Sequence, residues 1–179
     1  MSRVLLLSAA LACRSPEPPE EKDLRELEIR MAELVNVERE ARGLAPFVVS
    51  PALADVGREY ARKMAAARSV HHDLESPVEE RIRAALPDTC TFGENVSKHT
   101  SIDYSLGDLM MSPGHRANLL GEQFLLIGIG IARGDDGFLY ITQEFARPCE
   151  PRPKGSKRRK DLPQEKDRSR HEDLALGPR

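Results

Sequence analysis

The segment Met111-Ser112-Pro113-Gly114-His115-Arg116-Ala117-Asn118-Leu119-Leu120 joins a helix start to an imidazole. Ser112 suits an N-cap, and Pro113 suits the first helical position, where a missing N–H costs nothing. His115 then falls in the first helical turn. The positive end of the helix dipole disfavours imidazolium there, so the ring is expected to stay neutral. Neutral imidazole is the form that binds a metal or acts as a general base. Gly114 has no Cβ and lets another group approach closely. Two upstream units complete the pattern: Gly93-Glu94-Asn95 offers a carboxylate, and Val70-His71-His72 offers further imidazole. Together they predict one composite site built from distant segments.

Working outward, Asp23 can cap a helix running to Arg42, with Leu24, Leu27, Met31, Leu34 and Val35 at helical period and Gly43 as its terminator. Ser50-Pro51 opens a second helix, expected to end near Ala67, with Leu53, Val56, Tyr60 and Met64 as its apolar stripe. Ser76-Pro77-Val78-Glu79 reads as a capping box opening a third helix to about Ala85. Thr91–Ser97 is expected to be a short strand, and Ser101–Met110 a helix. Leu125–Ala132 and Phe138–Phe145 are the clearest strands, joined by Gly134-Asp135-Asp136-Gly137 as a hairpin. In the first, Ile127, Ile129 and Ile131 alternate with Gly128 and Gly130, so one face is bulky and the other is bare backbone open to a neighbouring element. The fold class that follows is α+β, with helices on both faces of a central antiparallel sheet.

These residues resemble a known family. His72, Gly93-Glu94-Asn95, Ser112-Pro113-Gly114-His115-Arg116-Ala117-Asn118 and Tyr140-Ile141-Thr142-Gln143-Glu144-Phe145 are similar, in order and spacing, to the motifs of the CAP superfamily. That superfamily comprises the cysteine-rich secretory, antigen 5 and pathogenesis-related proteins, here in the bacterial SCP-like form. The resemblance spans roughly Leu24 to Phe145 and implies a three-layer α-β-α sandwich. The family often has Trp where this chain has Leu109, a departure that bears on local packing.

Composition and chain ends add an address. The net charge of −2 conceals ten Lys and Arg against six Asp and Glu from Glu150 onward, so an acidic body carries a basic tail. Residues 150–179 lack apolar periodicity and are expected to be disordered; their cations, Lys157-Arg158-Arg159-Lys160 among them, suit contact with a polyanion. Residues 1–12 read as a signal peptide: Arg3, the apolar run Val4–Leu11, and Ala10-Leu11-Ala12 before Cys13. Cys13 suggests a lipoprotein anchor, although Ala10 stands where that signal usually has Leu; plain secretion is the other reading. Residues 13–22 read as a linker and 23–149 as the domain. The expected location is extracellular or in the cell envelope. Cys90 and Cys149 are then candidates for a disulfide, on the order of 3–4 kcal/mol of stabilisation, or else two buried thiols.

The expected cleft residues are His72, Glu94, His115 and Glu79, with His72, His115 and Glu94 as candidate ligands of a weakly held divalent metal such as zinc. By itself His72, next to Asp73, reads as an exposed loop residue; family spacing selects it over His71. Glu79 also has a plain structural role as the third residue of the capping box. Arg116 and Asn118 are expected to pin loops, and of Gln143 and Glu144 one is expected to face the cleft. Among the Ser and Cys residues no nucleophilic triad is evident, and whether the chain is an enzyme stays open. The resemblance implies a module that binds a lipid, a sterol-like molecule or an envelope component. The alternative is a metal-assisted hydrolase or protease using the His/Glu cluster. Mass spectrometry of the native protein should find a mature chain that begins at Cys13; a chain retaining Met1 would contradict export.

Overall fold

The computed structural model describes residues 19–150; the expected signal peptide, Cys13 and the tail from 151 on lie outside them. Among the described residues five helices and four strands follow in the order α1 (Pro19–Glu40), β1 (Val48–Val49), α2 (Pro51–Ala67), α3 (Val78–Ala85), β2 (Thr89–His99), α4 (Ile102–Met111), α5 (Pro113–Leu119), β3 (Leu126–Arg133) and β4 (Leu139–Pro148). The sheet order is β1-β3-β4-β2. The three long strands are antiparallel, and β1, which the sequence did not announce, adds a parallel pair at one edge. Two residues of β-branched sequence are too few to show a period.

The expected sandwich forms because β3 and β4 present two different faces. Ile127, Ile129, Ile131, Ile141 and Phe145 pack against Met31 and Val35 of α1, Leu106 and Leu109 of α4, and Leu119 of α5. Leu109 is buried there in its own right. The opposite face of the sheet meets α2, with Tyr60, Ala61 and Met64 on Val96 and Tyr140, while Leu53 and α3's Ile82 pack on Ala146. α2 can come this close because β3 is bare backbone opposite it. A Cβ on Gly130 would lie 2.0 Å from the Gly57 carbonyl carbon, and one on Gly128 would lie 2.3 Å from Ala54 N.

Local signals set most boundaries. Ser50 caps α2, its hydroxyl accepting from Leu53 N–H at 3.4 Å, with Pro51 at the first position. Gly43 follows α1 at φ +73°, as a left-handed terminator requires. Two expectations need correction. α1 begins at Pro19 rather than Asp23, so residues 19–22 are helix and not linker; Glu20 and Glu21 favour the first turn. Pro77, not Ser76, is the N-cap of α3, without a side-chain cap bond. The carbonyl of Ser76 is instead taken by the Arg81 guanidinium.

Polar contacts close the remaining edges. β1 is short, and the Ile131 N–H of β3 donates to the Glu28 carboxylate at 3.1 Å, which Arg58 pairs at 2.8 Å. Burial, opposed by Arg58, nonetheless raises the Glu28 pKa. Arg39, also buried, donates to the carbonyls of Ala45 and Leu119 at 2.8 and 2.9 Å and so ties α1 to the end of α5. Cys90 and Cys149 form a disulfide joining the start of β2 to the end of β4, with Cα atoms 4.9 Å apart. Gly130→Ala should lower unfolding stability by about 3 kcal/mol, since its Cβ meets helix backbone that cannot yield. Gly107→Ala, on an open face of α4, should instead raise it by up to about 1 kcal/mol. Urea unfolding followed by circular dichroism measures both.

Candidate functional site

Strand β2 lies at the edge of the sheet, and its Gly93-Glu94-Asn95 unit divides three tasks by alternation. Gly93 sits against the Phe124 ring: a Cβ there would fall 2.8 Å from Cζ. Glu94 points to the side of α3, and Asn95 points to the side of α5. The Asn95 amide donates to the His115 carbonyl at 3.1 Å and to Gln143 Oε1 at 2.9 Å. Asn118 donates to the Glu94 carbonyl at 3.1 Å and to Asn95 Oδ1 at 2.9 Å. These bonds hold the seven-residue α5, and with it His115, on the edge strand. Asn118 thus has the pinning role expected of it, whereas Arg116 is exposed.

The Glu94 side chain is 1 % exposed and engaged at both oxygens: Oε2 with His72 Nδ1 at 2.8 Å, Oε1 with Arg81 Nη2. Of the two neighbouring imidazoles, it is His72 that contacts Glu94. The backbone carbonyl of His71 accepts from the Tyr60 hydroxyl at 2.8 Å, which in turn accepts from Leu74 N–H at 2.9 Å. That phenol thus bridges two points of the loop before α3. Arg81 stacks on the same ring, 3.6 Å from its centroid, and donates to the His72 carbonyl at 3.0 Å. Glu79 does not join the cluster; it stands on the outer side of α3 and pairs with Arg83 at 2.8 Å. The helix brings Arg81 inward instead. No pattern in the sequence marked Arg81, because its neighbour Ile82 carries the apolar signal of that turn.

The two imidazoles are driven in opposite directions. The hydrogen bond to Glu94 raises the His72 pKa, against partial burial. Burial lowers that of His115, and the charge of His72 lowers it further. The neutral His115 expected from the helix dipole is therefore neutral chiefly for another reason. His115 therefore lies within reach of the His72 charge. Glu144 lies directly opposite Glu94 in the β2–β4 register and is wholly buried. Burial, then repulsion from Glu94, raises its pKa well above the ordinary carboxylate range. Among the described residues no group of three His, Cys, Asp or Glu side chains is arranged to hold a metal.

With this geometry the family is settled. The profile of the cysteine-rich secretory protein family, CAP, matches residues 32–145, and the chain belongs to that family. Among solved structures it is similar to an extracellular SCP-domain protein from Bacillus anthracis, at 24 % identity and TM-score 0.66, covering 75 % of this chain and 45 % of that one. It is similar also to an outer surface protein from Borrelia burgdorferi, at 20 % identity and TM-score 0.63, covering 74 % of this chain and 97 % of that one. A cysteine-rich secretory protein from Staphylococcus aureus shares 20 % identity at TM-score 0.54, over 74 % of this chain and 41 % of that one. The chain thus spans less than half the length of the Bacillus and Staphylococcus proteins. Among curated protein sequences none matches. No helix among the described residues is long and apolar enough to cross a membrane.

In a proton NMR titration His72 should titrate above the usual imidazole value and His115 below it. Glu94→Gln should bring the His72 pKa down, because the anion that stabilises imidazolium is gone. The sign for stability follows. The contribution of His72 is full below its unfolded pKa, near ~6.5, and is lost as pH rises through its folded value. Equal pKa values for the two rings would refute the coupling.

Proposed function

We propose that this chain is an exported binding module whose cleft at the β2 edge takes a small ligand on His72 and His115. The observation that carries this reading is the chain Arg81–Glu94–His72. A buried carboxylate fixes the imidazole through Nδ1 and leaves Nε2 without a protein partner among the described residues. Such an arrangement orients a ring for an outside partner. A lipid, sterol-like or envelope component is the class the family resemblance implies. Export is supported by the disulfide, which persists in oxidising compartments, and by the extracellular and surface descriptions of the similar structures.

A divalent ion fits this site only as a weak guest. Both Glu94 oxygens are engaged, so the protein donors are His72 Nε2 and His115, with Glu94 orienting the first. Two imidazoles leave a tetrahedral zinc to be completed by water. A bound ion would supply Lewis acidity and a more acidic water. The hydrolase reading also needs a general base. Glu94 has no oxygen free for that role, and Glu144 is wholly buried. Binding is accordingly the better supported reading.

Calorimetric titration of zinc is the test. The wild type should bind with modest affinity, and His72→Ala and His115→Ala should each bind about tenfold more weakly or worse. Acid should release the ion as the imidazoles protonate. If both single variants match wild type, the composite site does not exist. Hydrolysis of a peptide or ester by the zinc form would favour the enzyme reading instead.

A further inference from the structure

Glu144 is a buried carboxyl group for which the cleft chemistry has no use. It lies within β4 and is wholly buried. Across one ladder it faces Glu94 of β2, and across the other it faces Gly128 of β3. Directly opposed residues of adjacent strands share one side of the sheet, with Cβ atoms about 5 Å apart. Gly128 brings no side chain, and α2 covers it so closely that an added Cβ would lie 2.3 Å from Ala54 N. Along β4 the same side carries Thr142 and Ala146. The Thr142 hydroxyl is buried without a partner, and Ala146 packs on Leu53 and Ile82. Neither oxygen of Glu144 meets a donor among the described residues. Glu94 takes the cations instead, Arg81 on one oxygen and His72 on the other.

We propose that Glu144 is a positioning residue for His72: as a carboxylic acid it donates a hydrogen bond to the Glu94 carboxylate and holds that group against the imidazole. A second buried anion, with no donor of its own and beside an existing one, would be costly. The acid form removes that cost and sets a donor beside an acceptor. Each carboxylate oxygen can accept twice, so Glu94 has room for a third donor. A bond from an acid to a carboxylate is charge-assisted and stronger than one between neutral groups. Its direction is also distinct. Arg81 reaches Glu94 from α3, and His72 reaches it from the loop before α3, whereas Glu144 reaches it from within the sheet. Burial and then the Glu94 charge, with Arg81 opposing, move the Glu144 pKa in the direction this bond requires. The inference rests on the cleft reading only for its consequence, since it concerns what holds the imidazole and not what the imidazole binds.

The test uses the full chain at one neutral pH without ligand. Infrared difference spectra should show the C=O stretch of a protonated carboxyl group in the wild type and its loss in Glu144→Gln, while Glu79→Gln keeps it. NMR of the His72 ring reads the positioning. A glutamine amide can donate to Glu94 as the acid does, so Glu144→Gln should leave the His72 ring shifts at their wild-type values. Glu144→Met is of similar length but has no donor, and it should move them. Glu144→Leu takes its place if that variant does not fold, and the infrared band decides alone if neither folds. The proposal is overturned if the band is unchanged in Glu144→Gln, if Gln and Met shift the ring equally, or if the apolar variants fold and leave the ring where it was. Neither readout involves zinc. Failure of the zinc titration would therefore remove the cleft's ligand and leave the bond between Glu144 and Glu94 in place.

Discussion

The approach of α2 to the sheet is set by backbone meeting backbone. Gly57 on the helix and Gly130 on β3 lie where a single added carbon would fall 2.0 Å from its neighbour. Dispersion forces decline steeply with separation, so this contact brings the rest of the α2 face within packing range of β4. Tyr60 depends on it directly. The helix must be this close for the phenol to stay buried and still hold the His71–Leu74 loop. Through that loop the placement of His72 depends on glycines in a different strand.

The second constraint is electrostatic. Burying the Glu94 carboxylate would be costly if it stood alone, and Arg81 and His72 together supply the compensation. Glu144 faces it across the strand pair, and burial together with the Glu94 charge raises its pKa. The cluster therefore has one carboxylate, one guanidinium and one imidazole in contact, with a second imidazole kept neutral by burial and by the charge of the first. That balance leaves little of the cluster's charge unpaired. Its groups are spent on one another, and what remains for a ligand is ring nitrogen.

α3 links the cleft to a groove of about 720 Å³ that it forms with α2. Arg81 lies in the wall of the groove and also holds Glu94 and the His72 carbonyl. The two surfaces differ in chemistry, imidazole in one and the carboxylates of Asp55, Glu59 and Glu80 in the other.

Much of this was legible in the chain itself, where local physics leaves a local mark. Ser50-Pro51 had to start a helix, Gly43 had to end one, and the Gly128/Gly130 alternation had to leave one face of β3 bare. The ordered motifs around His72, Glu94 and His115 also announced the family and its sandwich. Long-range pairing left no such mark. Arg81 replaced Glu79 beside Glu94 because the orientation of α3 is fixed by Ile82 packing on Leu53 and Ala146, which no spacing within residues 76–85 reveals. Glu144 could be placed opposite Glu94 only once the register of β2 on β4 was known. A one-residue change in that register would have turned the carboxyl to the other face. The sequence determined which residue types were present and in what local geometry; only tertiary structure decided which charges would meet, because that depends on contacts between segments far apart in the chain.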